Sequence, residues 1–400
     1  MNKFSFFLFI FIGFISYSQS ISVEDIWKDY KFYARGVNGF RSMNDGEHFS
    51  QFTDKGVTKH SFKNYQGTGE VILPVEAMKY EGNQLYPDEY EFNSDESKVL
   101  LLVNQAPIYR RSYTAEHYLY DLTTKELTAL DAERSPQTQV EYSPDGKKVA
   151  YIYENNLYVK NLTNNDVTAI TTDGERNKII NGTTDWVYEE EFAITKAYGW
   201  SPDSKHISYL KFDESNVKEY TMKYFNELYP DLYTFKYPKA GEANSVVTAH
   251  IANISNGNKQ QIDLGEYEYI PRLKWSHKSN QLILQTLNRH QNHLSYHLVE
   301  EKEGSFTTRK IFEEKSDTYV EIDDNLLILN SGDAILRTSE ADGHNHIYQL
   351  NFYVTSKQMT KGNWYVIEAN MQYGREGLKK KNMVLKEVIR EKLMAGTLFD

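Results

Sequence analysis

Tyr142-Ser143-Pro144-Asp145-Gly146, followed by Lys148-Val149-Ala150-Tyr151-Ile152-Tyr153, is the stretch from which the fold can be read. Its first half is turn chemistry. Proline presets φ, aspartate bonds its own backbone and glycine accepts φ > 0. Its second half has the alternation and the β-branched and aromatic content of a strand. Working outward, the unit recurs as Met43-Asn44-Asp45-Gly46, Asn93-Ser94-Asp95-Glu96, Trp200-Ser201-Pro202-Asp203-Ser204, Trp275-Ser276-His277-Lys278-Ser279 and Asn330-Ser331-Gly332-Asp333. The turn aspartates at 45, 95 and 145 are spaced by 50 residues. A second strand often follows, as in His117-Tyr118-Leu119-Tyr120-Asp121 and Asn156-Leu157-Tyr158-Val159-Lys160. Several strands in each long period predict an all-β chain of propeller blades. A sandwich would place turns every ~8–12 residues with no long period.

The composition agrees. The 400 residues include 31 Tyr, 20 Phe and 5 Trp, with only 22 Gly and 9 Pro, so the chain is neither fibrous nor of low complexity. A net charge of -11 argues against binding duplex nucleic acid, which requires a basic face. With 0 Cys, stability must come from core burial, and a Cys nucleophile or Cys-ligated metal is excluded. His344 and His346 read as ordinary strand or turn residues, and no metal or other cofactor is expected.

Lys3, the apolar run Phe4 to Ile15, and the small residues of Ser16-Tyr17-Ser18 predict a cleaved export signal with Gln19 as the mature N-terminus. The run is shorter than the ~20 residues that span a bilayer. The expected location is therefore periplasmic or secreted, with no membrane span after cleavage. Four segments are predicted: a signal peptide at 1–18, an N-terminal segment with a short helix at 19–40, a propeller domain at 41–370 and a divergent basic tail at 371–400. The short helix is expected from Ser22 with Asp25 three residues later. The period stretches between Asp203 and Ser276, so an insertion near 217–241 should project as a dimerisation arm or a long hairpin loop. The tail, with Lys379, Lys380, Lys381, Lys386, Arg390 and Lys392, reads as helical and amphipathic. It is either a basic partner-binding helix or, on the plainer reading, a segment with no evolved structure.

The chemistry-bearing stretch is Asp185-Trp186-Val187-Tyr188-Glu189-Glu190-Glu191. Three adjacent carboxylates repel one another and resist desolvation, so by themselves they are equally a solvated turn or a cation site.

This seven-residue run, followed by Trp200-Ser201-Pro202 and Tyr237-Pro238-Lys239-Ala240-Gly241, resembles the dipeptidyl peptidase IV family of prolyl-oligopeptidase-like serine exopeptidases. So do Tyr109-Arg110-Arg111-Ser112-Tyr113-Thr114-Ala115 and the strand ending in Tyr120-Asp121-Leu122. The resemblance covers roughly residues 22 to 370 in the family's order. It implies an eight-bladed propeller, here an incomplete one, that caps an α/β-hydrolase domain, and the release of N-terminal X-Pro or X-Ala dipeptides. It also implies that Glu190 and Glu191 hold the substrate's α-ammonium and that Arg110 contacts its first peptide carbonyl, while Glu189 is structural. An ammonium with three donors is well matched by paired carboxylates. Fixing the amine would let the nucleophile reach only the second peptide bond.

No Gly-x-Ser-x-Gly nucleophile elbow occurs in the sequence, and Gly199-Trp200-Ser201 runs into a blade turn at Pro202-Asp203. The expectation is a truncated or interrupted exopeptidase without its α/β-hydrolase domain and catalytic triad, inactive alone. The alternatives are a non-enzymatic exported propeller that binds peptides or a protein partner, and a pore-facing structural propeller of the periplasmic translocation kind.

Overall fold

The computed structural model describes residues 21–34, 39–64, 67–329, 331–353, 355–371 and 383–388. The predicted signal segment 1–18 and Lys379, Lys380, Lys381, Arg390 and Lys392 of the tail lie outside the described residues. The chain divides into two compact units, Met1–Val75 and Glu76–Asp400.

In the first unit, helix α1 (Val23–Trp27) starts at the expected capping box. The Ser22 hydroxyl accepts from the Asp25 N–H at 3.1 Å, and the Asp25 carboxylate accepts from the Ser22 N–H at 2.9 Å. A four-stranded antiparallel meander follows, built from Arg41–Ser42, His48–Thr53, Gly56–Ser61 and Glu70–Pro74.

The second unit repeats that meander. Its four-stranded sheets are Glu89–Phe92 to Leu127–Ala129, Thr138–Tyr142 to Val167–Ala169, Tyr269–Trp275 to Ser305–Lys315 and Leu327–Ile328 to Thr355–Gln358. Between the second and third of these lies a five-stranded sheet, Ile179–Asn181 to Lys259–Ile262. The sequence-predicted turn units lead into the second strand of each sheet's path, as with Ser143 between Thr138–Tyr142 and Lys148–Tyr153. There the Ser143 hydroxyl accepts from the Lys148 N–H at 2.9 Å, and Asp145 accepts from the Lys147 N–H at 3.0 Å. Adjacent turns also touch. The Asp145 N–H donates to the Ser204 hydroxyl at 3.0 Å, and a Cβ on Gly146 would lie 2.5 Å from the Ser94 hydroxyl oxygen.

The alternation expected in Lys148–Tyr153 differs in one respect from a half-buried strand: Val149, Ala150, Tyr151 and Ile152 are all buried. Val149 and Tyr151 pack with Leu100 and Leu119 of the preceding sheet. Ala150 and Ile152 pack with Tyr198, Trp200 and Ile207 of the following sheet. Period 2 thus sorts side chains between two cores, because sheets stacked face to face cover both faces of a central strand. Gln281–Leu287 is likewise buried throughout. Four-stranded meanders packed this way are propeller blades, and the fold is an all-β propeller.

The insertion is a hairpin, Glu219–Tyr224 paired with Asp231–Lys236, set between two strands of the five-stranded sheet. The tail departs from expectation. Met383–Val388 is not helical but pairs antiparallel with Tyr365–Met371. An open strand edge supplies backbone partners that no local charge pattern encodes, and tertiary pairing overrides helix propensity. Among the described residues the α-helices are α1 and α2 (Trp186–Glu191), and none is long and apolar enough to cross a membrane.

Candidate functional site

The site is assembled on α2. Asp185 is its N-cap: one carboxylate oxygen accepts from the Tyr188 N–H at 3.0 Å and the other from the Ser245 hydroxyl at 2.6 Å. Burial pushes the Asp185 pKa up, against these hydrogen bonds. Tyr188 anchors the helix from below. Its hydroxyl accepts from the Ile270 N–H at 2.8 Å, and its ring meets Phe192 and Phe212 edge-on at 4.9 and 4.8 Å.

The three glutamates then take three different positions. Glu189 is 1% exposed, and one of its carboxylate oxygens accepts from the N–H groups of Arg111 (2.6 Å) and Ser112 (2.9 Å). The Arg111 guanidinium donates to the Glu189 carbonyl at 2.7 Å. These bonds clamp the loop between the strands Lys98–Pro107 and Tyr113–Asp121 onto α2. A buried carboxylate satisfied by backbone N–H groups is a structural element, as expected for this residue.

Glu190, next along the helix, has a side chain 14% exposed, and its carboxylate lies 3.3 Å from Nε of Arg110. The Arg110 side chain is 70% exposed. Glu191 is exposed at the end of α2. The clamp at Glu189 therefore brings Arg110 to Glu190, while Glu191 stands roughly 100° further around the helix and open to solvent. Two carboxylates against one guanidinium leave a net negative charge that suits a cation with several N–H donors.

Sequence reasoning missed several supports. Trp186 packs on Tyr237 at 4.3 Å and Tyr109 on Phe235 at 6.0 Å, so the base of the insertion hairpin braces both residues that flank the site. Asp185 as N-cap was legible in principle, since it precedes the helical run. Glu214 was not: Asp213-Glu214-Ser215 reads as a solvated turn. It is 6% exposed, and burial followed by the charge of Asp185 pushes its pKa up to about 7. His346 sits in the strand His346–Asn351 and bonds Thr360 and the Gly362 carbonyl at 3.1 and 2.9 Å.

A profile for the dipeptidyl peptidase IV (DPP IV) N-terminal region matches residues 93–377. A probable dipeptidyl-aminopeptidase B of Phaeosphaeria nodorum is 31% identical over 320 residues, covering 71% of this chain and 35% of its own length. Prolyl endopeptidase FAP of Bos taurus is 28% identical over 391 residues, 88% of this chain and 48% of the relative. The crystal structure of Porphyromonas gingivalis dipeptidyl peptidase 4 superposes with a TM-score of 0.79 at 32% identity, over 88% of this chain and 50% of that one. The chain thus spans half or less of the length of these relatives. By these matches the chain belongs to the dipeptidyl peptidase IV family, through its N-terminal propeller region.

Proposed function

We propose that this chain is the substrate-gating, N-terminus-binding part of a dipeptidyl peptidase IV-like serine peptidase that releases X-Pro and X-Ala dipeptides. Glu190 and Glu191 hold the free α-ammonium, and Arg110 orients Glu190 and meets the first peptide carbonyl. The observation that carries this reading is the Arg110–Glu190 pair at 3.3 Å, held in place by the buried Glu189 clamp. An acetylated or internal peptide offers no cation and is rejected. The residues of this sequence bind without cleaving, since they contain no Gly-x-Ser-x-Gly elbow.

Calorimetry with free and acetylated Ala-Pro peptides tests the assignment: only the free peptide should bind, and equal affinity for both would overturn it. A Gly-Pro chromogenic substrate should not turn over. Binding to an unrelated protein partner with no preference for free N-termini would favour the non-enzymatic module instead.

The insertion hairpin further supports a homodimer. Tyr220, Met222, Tyr224, Phe225, Leu228 and Leu232 are large apolar residues exposed on it. Sedimentation of the chain and of a Phe225→Asp/Leu228→Asp variant tests this; an unchanged mass would remove the arm from the interface. Export rests on the run from Lys3 to Ser18, and N-terminal sequencing of secreted material should begin at Gln19.

A further inference from the structure

Beneath the Tyr109–Ser112 loop lies a cavity of about 570 Å³, in the range of small-ligand sites. Its lining includes the aromatic residues Tyr109, Trp186, Tyr233 and Phe235 and the acidic residues Asp185 and Glu214. Asp185 is engaged by Ser245 and Tyr188. Glu214 is 6% exposed and makes no side-chain hydrogen bond or close ion pair among the described residues, though the charge of Lys236 reaches it. Lys236 and Arg176 also line the cavity, and both have other partners. Lys236 Nζ donates to the Val217 carbonyl at 2.8 Å and lies 3.7 Å from Glu219. Arg176 donates to the Thr234 carbonyl at 3.1 Å and lies over the Tyr233 ring at 5.6 Å.

A buried carboxylate without a partner is costly, and a folded protein normally supplies a cation, a donor or a proton. Aromatic faces around a carboxylate that no donor engages form a box for an organic cation, which the rings attract and the carboxylate neutralises. We propose that this cavity is a second ligand site, distinct from the Arg110–Glu190–Glu191 site, that takes an alkylammonium or guanidinium group, with Glu214 as its counter-ion and Tyr109, Tyr233 and Phe235 as its walls. It does not depend on the assignment of Glu190 and Glu191.

The charged and titratable groups acting on Glu214 are Asp185, Asp213, Lys236 and Tyr109, and Glu154, Glu175, Arg176 and Tyr233 line the same cavity. With Asp185 nearby and burial dominant, Glu214 holds a proton near neutrality, and an arriving cation should displace it. The wall that closes on the cation belongs partly to the insertion hairpin, through Tyr233 and Phe235, and partly to the loop that carries Arg110.

The test titrates the whole chain with methylguanidinium and n-butylammonium chlorides, and with N-methylurea as the uncharged isostere. The cations should bind and the urea should not. At pH near 7 the heat should change with the ionisation enthalpy of the buffer, because a proton leaves as the cation enters. Glu214→Gln should weaken methylguanidinium binding at least tenfold, and Tyr233→Leu by roughly two- to fivefold. The double variant Glu190→Gln/Glu191→Gln should lose free Ala-Pro binding and keep methylguanidinium binding, so failure of either site shows separately. Equal affinities for wild type and Glu214→Gln, or binding of the urea as strong as that of the cation, would overturn the proposal. Putrescine and acetyl-arginine amide, titrated separately, then assign the natural source as a free polyamine or a peptide side chain, and binding of neither counts against the site.

Discussion

Glu189 and Glu214 are both buried carboxylates in the same unit, and their surroundings solve the same problem in opposite ways. Glu189 is given two backbone N–H groups from a loop 77 and 78 residues earlier in the chain. Glu214 is given aromatic rings, a neighbouring carboxylate and a cavity. The first arrangement fixes a charge so that it can hold the Arg110 loop in place. The second leaves a charge unmatched, which makes it responsive to protons and cations. Burial alone therefore says little about a carboxylate's role; the donors that reach it decide.

The sharpest way to break that comparison is Glu189→Ala. Removing the acceptor leaves the buried Ser112 N–H and the part-buried Arg111 N–H without their partner, and the expected loss is about 2–4 kcal/mol in a denaturant titration. The Arg110 loop should loosen as well, so free Ala-Pro affinity should fall in parallel. If affinity is unchanged at full loss of stability, the clamp does not position Arg110.

Next in size, Glu190→Gln should weaken free Ala-Pro binding by roughly 10- to 100-fold, the worth of a charge-assisted hydrogen bond of about 1.5–3 kcal/mol. Stability should move by less than about 0.5 kcal/mol, because a pair whose arginine is 70% exposed contributes little. A large drop in melting temperature would mean that Glu190 is structural like Glu189.

Glu214 carries the opposite sign. Its pKa is raised from an ordinary 4.5 to about 7, so between those values the folded state keeps a proton that the unfolded state has lost. Stability then falls as pH rises across that window, by roughly 1–3 kcal/mol in all. Glu214→Gln should abolish this slope, matching wild type near pH 4.5 and exceeding it above pH 7 in parallel denaturant titrations. Parallel pH profiles for the two proteins would refute the raised pKa.

Three histidines set the acid side. Burial holds His117, His250 and His297 down at about 4, each against an ordinary 6.5. Their stabilising effect is complete above pH 6.5 and is lost as pH falls towards 4, because the unfolded chain takes up protons that the folded chain refuses. His250→Gln should shallow that acid slope by no more than about one third, the smallest of the expected changes, as seen by thermal melts between pH 4 and 7.

How much of this was legible follows from how local each cause is. The turns could be read because Ser143, Pro144, Asp145 and Gly146 make their own bonds within a few residues. The blade period could be read because it repeats those turns. Arg110, Glu190 and Glu191 emerged through resemblance, since a seven-residue run survives comparison where a lone carboxylate does not. The clamp on Glu189 and the cavity at Glu214 could not be read: each depends on which loop folds over the residue, and no spacing in the sequence records that. The tail failed for the same reason. Its charges suggested a helix, but Met383–Val388 found an open edge at Tyr365–Met371.

The contact between successive turns carries a consequence of its own. Gly146 has φ +67°, which its own turn requires, and a side chain there would also strike Ser94 in the preceding turn. Ser204 in turn receives the N–H of Asp145. Each turn is thus written partly in the alphabet of its neighbour. A blade copied or swapped by recombination would arrive with the right local grammar and the wrong junctions, so the order of blades is itself inherited information.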